Sequence, residues 1–271
     1  MAEPSLLSEL RDGVLVLTLN RPERNNAWTT EMEERYFGAL DQATSDGQVR
    51  AIVVTGAGKS FCPGLDSHTL SDAAAGRTQT NPELRRPQTV PTTVPKPIIA
   101  AINGACAGIG LIQAMMCDVR FAAAGARFST AFARRGIHAE HGTAWLLPRL
   151  VGLGNAMDLM LSARVFGADE ALRLGLVNRV TGPGEVVGAA VDYARDLAQN
   201  CSPLAMAITK LQIRQAMDQD LEASRTEALR LWGQVLKPHP DFKEGVGSFV
   251  ERRPPSFAPL DPALVSSSGL L

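Results

Sequence analysis

Two short stretches of this chain put glycine where a strand hands over to a helix: FCPGLD, from Phe61 to Asp66, and NGACAGIG, from Asn103 to Gly110. Glycine at such a junction leaves main-chain N–H groups free to point into a cleft at the positive end of a helix. That arrangement suits an oxygen that gains negative charge during a reaction, and amides from two separate loops can share one such oxygen. Each stretch alone is equally a tight turn. A third cluster, His138-Ala139-Glu140-His141, offers a carboxylate and two imidazoles beside a helix start. The carboxylate could move a proton, or it could be a first-turn glutamate favoured by the helix dipole. His-x-Glu-His supplies adjacent metal donors, but no third ligand cluster accompanies it, so no metal is expected.

Other glycine-rich chemistry fails on particular residues. Gly58-Lys59-Ser60 matches the end of a nucleotide phosphate loop, but the leading glycine would have to stand at Val53, inside a strand. A dinucleotide fingerprint laid on NGACAGIG needs its last glycine where Gln113 stands, and no acidic residue follows at the required distance. The serine elbow G-x-S-x-G is absent.

The elements that must position these stretches alternate between strand and helix. GVLVLTLN (13–20), AIVVTG (51–56), PIIAAIN (97–103) and DVRFAA from Asp118 read as buried strands. A helix is expected from Thr30, with the Thr30 hydroxyl as cap and Glu33 reaching back, and another from Gly108. The core is therefore α/β. Residues 71–95, rich in Ala, Gly, Thr, Pro and Arg without clean periodicity, are expected to form a mobile surface excursion of the kind that covers a site.

Downstream, helices are expected at 142–151, 155–163 and 169–175, then a strand in GLVNRV, then amphipathic helices from Glu185 broken near Pro203 and Pro238. The tail RRPPSFAPLDPALVSSSGLL reads as extended or partly disordered.

Composition narrows the class. With 27 Lys+Arg against 28 Asp+Glu in 271 residues, the net charge is -1, so no basic field marks a nucleic-acid or membrane partner and any anionic ligand must be met locally. Four cysteines without a C-x-x-C pair are expected to be reduced and structural. No stretch of about 18 apolar residues escapes interruption, and the start MAEPSLLSEL lacks the basic and apolar regions of a leader, so a soluble cytoplasmic protein is expected.

Several motifs together resemble the crotonase (enoyl-CoA hydratase/isomerase) superfamily. NRPERNNAW resembles its opening Asn-Arg-Pro and Asn-Ala element, and VVTGAGKSFCPGLD its first signature loop. NGACAGIG resembles the second loop, AMMCDVRFAAAGARF the helix and strand after that loop, and LPRLVG, ADEALRLGLVNRV and DFKEGVGSFVERRPPSF continue in the family's order. The likeness runs from Leu10 to Phe257. It implies a spiral of β-β-α units over 1–200 and a C-terminal helical region and tail over 201–271 used for trimerisation. It further implies an acyl-CoA thioester substrate, a homotrimer or dimer of trimers, and no cofactor beyond the coenzyme A of the substrate. By the same resemblance the backbone amides of Leu65 and Ile109 form the oxyanion hole, with Gly64 and Gly108 shaping it.

The chain departs from the hydratase pattern of two glutamates. Ile112 and Phe132 stand at those positions. Glu140 resembles the single base of peroxisomal-type enoyl-CoA isomerases, and one base suffices to move a double bond. Phe132 and His141 are expected at the substrate, with Asp66 as a pocket candidate. Arg24 and Lys210 are candidates for coenzyme A contacts. His138 and His141 bracket Glu140, and either could position it or orient a water. The reading that results is an enoyl-CoA hydratase/isomerase leaning to conversion of a 3-enoyl to a 2-enoyl thioester. A 2-enoyl-CoA hydratase with a non-standard water-activating set and a CoA-thioester-binding protein without that activity are the alternatives.

Overall fold

A computed structural model describes residues 3–77 and 85–267. The chain opens with a hairpin, β1 (Leu6–Arg11) and β2 (Val14–Leu19), paired antiparallel from Leu6↔Leu19 to Arg11↔Val14. Asp12 and Gly13 both take positive φ, the two-residue turn that Asp-Gly favours. Helix α1 (Thr30–Ser45) follows, then β3 (Ala51–Gly56), β4 (Ser60–Cys62) and α2 (Ser67–Ala74). The next turn is β5 (Ile98–Ile102), β6 (Ala105–Ala107) and α3 (Ile109–Met116). The third is β7 (Val119–Ala123), β8 (Arg127–Ser129) and, after a longer loop, α4 (Thr143–Val151).

Each turn therefore sends one strand to a large sheet and the next to a small one. After α5 (Leu153–Ser162), β9 (Phe166–Gly167), α6 (Ala168–Arg173) and β10 (Arg179–Thr181), the sheets are complete. The large sheet has the order β1-β2-β3-β5-β7-β10 and is parallel beyond the hairpin; the small one has the order β4-β6-β8-β9. This is the β-β-α spiral that the resemblance implies.

Strands β3 and β5 are buried on both faces, as parallel strands covered on two sides must be. Ile52, Val54, Ile98 and Ala100 face α1 and α3 in one apolar cluster. Their neighbours Ala51, Val53, Ile99 and Ala101 face α7 (Val186–Asn200), which presents Ala190, Ala194 and Ala198 at helical spacing. Helices α8 (Pro203–Gln215), α9 (Leu221–Leu231), α10 (Pro240–Glu251) and α11 (Pro262–Ser267) complete the chain.

Four expectations need correction. The cap of α1 is Thr29, whose hydroxyl accepts the Met32 amide at 3.2 Å; Glu33 does not reach back but is buried and bonded elsewhere. Within 71–95, residues 71–77 lie at the surface, the first four of them in α2, whereas Gln88, Val90 and Val94 are buried, so the second half is not a surface excursion; 78–84 lie outside the described residues. The tail is without helix or strand over 254–261, as expected, but Leu260 and Val265 join Leu204, Ile208 and Leu231 in a cluster of their own and α11 forms within it; 268–271 lie outside the described residues. In GLVNRV the strand proper is Arg179–Thr181, while Leu176 and Val177 bond back to the Ala171 carbonyl.

Candidate functional site

The first glycine loop is held in place from the side by the Asn-Arg-Pro element. Asn26, fully buried with φ 62°, donates through Nδ2 to the carbonyls of Ala57 and Ser60 at 2.8 and 2.6 Å. Its Oδ1 accepts the Arg21 amide at 2.9 Å. The loop is then pinned by a short parallel bridge in which Trp28 N donates to Gly64 O at 2.8 Å and Asp66 N donates to Trp28 O at 3.0 Å. That bridge uses main-chain groups on either side of Leu65, and among the described residues the Leu65 N–H has no protein acceptor.

The second loop brings the matching amide. Gly108 caps α3 with φ 51° and ψ -125°, a conformation an L side chain holds only under strain. Its N–H donates to Ser129 O at 3.2 Å and its carbonyl accepts the Ile112 amide at 3.0 Å. Ile109 is then the first residue of a fully buried helix, where the N–H has no intrahelical partner, and it too lacks a protein acceptor among the described residues. A Cβ built on Gly108 would lie 3.7 Å from the Gly64 Cα, so the loops touch through main chain.

A cavity of about 70 Å³ opens at this contact, lined by Gly64, Leu65, Gly108, Ile109, Ile112, Phe132, Glu140 and His141, with Arg85 and Arg135 also on its wall. Gly64, Leu65, Gly108, Ile109, Ile112, Phe132, Glu140 and His141 are residues that the sequence singled out, and they converge although 76 positions separate Gly64 from Glu140. The remaining candidates lie off the wall. Asp66 is buried and caps α2 through the His68 amide at 3.0 Å; that bond, with Arg21 and Arg24, holds its carboxyl below the usual range against the upward push of burial. Arg24, 42% exposed, rests on Asp66 at 3.5 Å and Ser67 at 3.3 Å. Lys210 sits in a different groove, 2.7 Å from the Asp118 carboxylate and 3.0 Å from Lys96 O; burial lowers its ammonium while Asp118 opposes. His138 is exposed.

Two carboxylates lie near the cavity in opposite surroundings. Glu33 accepts Arg85 Nε and Nη2 at 2.7 and 2.5 Å, Trp28 Nε1 at 3.0 Å and Gln88 Nε2 at 2.7 Å. Burial pushes its carboxyl up, and these donors outweigh it and hold the group below its ordinary value. Glu140 has no side-chain hydrogen bond or ion pair among the described residues; only its carbonyl is used, accepting Thr143 N and Oγ1 at 3.0 and 2.7 Å. Beside it His141, in the left-handed region at φ 54°, is kept toward its neutral form by burial, with Arg85 adding and Glu140 opposing.

The Glu33–Arg85–Gln88 network escaped sequence reasoning. Glu33 sits three residues after Thr30 and imitated a capping box, and its true partners are 52 and 55 positions away. A charged residue on the buried face of α1, in phase with Met32, Tyr36 and Phe37, was the available signal.

A β-β-α spiral whose consecutive turns each offer one uncommitted amide to the same cavity has the architecture of the crotonase superfamily. The family model described as enoyl-CoA hydratase/isomerase matches residues 9–259, and the chain belongs to that family. It is 37% identical to a probable enoyl-CoA hydratase of Rhodobacter capsulatus, over 95% of this chain and 99% of that protein. It is 32% identical to the 1,2-epoxyphenylacetyl-CoA isomerase of Escherichia coli, over 93% of this chain and 97% of that one. A probable enoyl-CoA hydratase/isomerase of Mycobacterium abscessus superposes with a TM-score of 0.86 at 32% identity, covering 94% and 99% of the two chains. The protein is thus an enzyme of the enoyl-CoA hydratase/isomerase class. No helix among the described residues is long and apolar enough to cross a membrane.

Proposed function

We propose that this enzyme isomerises a 3-enoyl-CoA to a 2-enoyl-CoA. The thioester carbonyl accepts the Leu65 and Ile109 amides, Glu140 removes a proton from C2, and the negative charge that spreads onto the carbonyl oxygen is held by the two N–H groups. The same carboxyl then returns the proton at C4, so the double bond moves into conjugation and no atom is gained or lost. Each such donor contributes on the order of 3 kcal/mol to the transition state. Coenzyme A enters as part of the substrate, with no further cofactor, and Arg24, which rests on Asp66 and Ser67, is the proposed contact for its phosphates; Lys210, committed to Asp118, is the weaker candidate.

The observation that carries this reading is the single uncommitted carboxylate on the wall. Glu140 lines the cavity of the two amides, while Ile112 and Phe132, on the same wall, offer nothing that could hold or activate a water. A second reading, addition of water to a 2-enoyl-CoA, draws on His141, which lines the cavity beside Glu140 and is held neutral enough to accept a proton. The Rhodobacter relative is named a hydratase and the Escherichia relative an isomerase.

Incubation with a 3-enoyl-CoA should raise conjugated-thioester absorbance; loss of absorbance from a 2-enoyl-CoA instead favours hydration. No change with either substrate, despite tight thioester binding, leaves a binding protein. We further propose a homotrimer or dimer of trimers in the cytoplasm. Leu221, Phe249 and Val250 on the C-terminal helices are 86%, 84% and 72% exposed, and Cys62, Cys106 and Cys117 are free and buried.

A further inference from the structure

Arg85 is fixed in a way that leaves part of it unspent. Its Nε and Nη2 are both committed to Glu33, whose carboxylate is itself locked by Trp28 and Gln88. A guanidinium carries five N–H donors, and among the described residues Arg85 Nη1 makes no hydrogen bond. The side chain lines the same cavity as Leu65, Ile109 and Glu140.

Arg85 and Glu140 feel one another's charge, form no ion pair, and both line the cavity. Of the charged groups on its wall, Arg85 and Arg135 outnumber Glu140, and burial holds His141 toward neutrality. A purely hydrocarbon acyl chain would cover Nη1 and leave a charged donor without a partner, which costs binding. We propose that Arg85 is a specificity-determining residue which selects an acyl group carrying an oxygen acceptor, a carboxylate foremost, beyond the reacting carbons. Glu33 acts only through Arg85, as the clamp that aims it.

The inference rests on the site taking a CoA thioester, and its test separates the two. Binding of butyryl-CoA, 4-hydroxybutyryl-CoA and succinyl-CoA, equal in chain length, is measured by calorimetry on the full chain and on Arg85→Met. The wild type should bind succinyl-CoA about tenfold or more tightly than butyryl-CoA, the usual worth of a hydrogen bond to a charged group. Arg85→Met should erase that ratio, weakening succinyl-CoA and binding butyryl-CoA at least as tightly as the wild type does. A matching gain for 4-hydroxybutyryl-CoA means any oxygen is read; gain for succinyl-CoA alone means the negative charge is. Equal wild-type binding of all three overturns the inference and leaves the thioester site standing, as does equal loss of all three in Arg85→Met with the fold intact. No binding of any thioester overturns both. Should Arg85→Met not fold, the wild-type ratios decide the matter, and Arg85→Lys, which keeps the charge but not the fork, should reduce the succinyl preference.

Discussion

Glu140 lines the cavity, Glu33 holds Arg85 from outside that lining, and the surroundings of the two carboxylates are opposite. Glu33 is built into the protein: four donors converge on it, it is 4% exposed, and it ties α1 to the segment after residue 84. Glu140 is built toward the cavity, with its main chain anchored by Thr143 and its carboxylate left free of protein partners among the described residues. A carboxylate satisfied by its neighbours has little left to offer a substrate, whereas an unsatisfied one at a cavity wall can take a proton from whatever binds.

The two glutamates should part most visibly in kinetics. Glu140→Gln should lower kcat for 3-enoyl-CoA isomerisation by at least about a hundredfold, the usual weight of a general base, while the urea midpoint stays at the wild-type value. A small kinetic loss would return Glu140 to the role of a helix-start glutamate. At Glu33 the effect should appear in stability instead. Glu33→Ala leaves a half-buried arginine and two amide or indole donors unmatched, and should cost about 2 kcal/mol, read from urea unfolding.

Acid separates them further. Because the Glu33 carboxyl is held below its ordinary value near 4.5, the stability it contributes is present above that pH and is lost as pH falls below it toward the folded value. The wild type should therefore lose more stability than Glu33→Gln between about pH 5 and pH 3. The smallest effect belongs to His141. Burial disfavours its charged form, so the unfolded chain binds more protons once pH falls below 6.5, and stability drops there. His141→Asn, which tolerates the left-handed backbone, should remove that slope, by under about 1 kcal/mol at pH 5.5.

The same pair marks how far residue order could be read. Buried strands such as AIVVTG and PIIAAIN, and the α3 and α4 helices, announce themselves because their apolar runs are long enough to carry a period. Strands β4, β6 and β8 have three residues each, too few to show one, so the spiral was legible only through resemblance. The exposed hairpin strand β1, with five of six residues open to solvent, gave no apolar signal either. For the site, it was the resemblance that named Leu65, Ile109 and Glu140, and the three line one cavity. Arg85 and Glu33 meet across 52 positions through side chains alone, and a pairing of that kind leaves no spacing to find.

At Gly110 an added Cβ would stand 2.1 Å from the Cys62 carbonyl oxygen, so only glycine lets the main chains of the two loops come this close. In the proposed mechanism the part of the site that holds charge is therefore written in main-chain atoms, which every residue shares. The proposed proton carrier, Glu140, is a side chain on the cavity wall. One backbone can thus host a family of related reactions, with the choice among them made at a few interchangeable points on its wall.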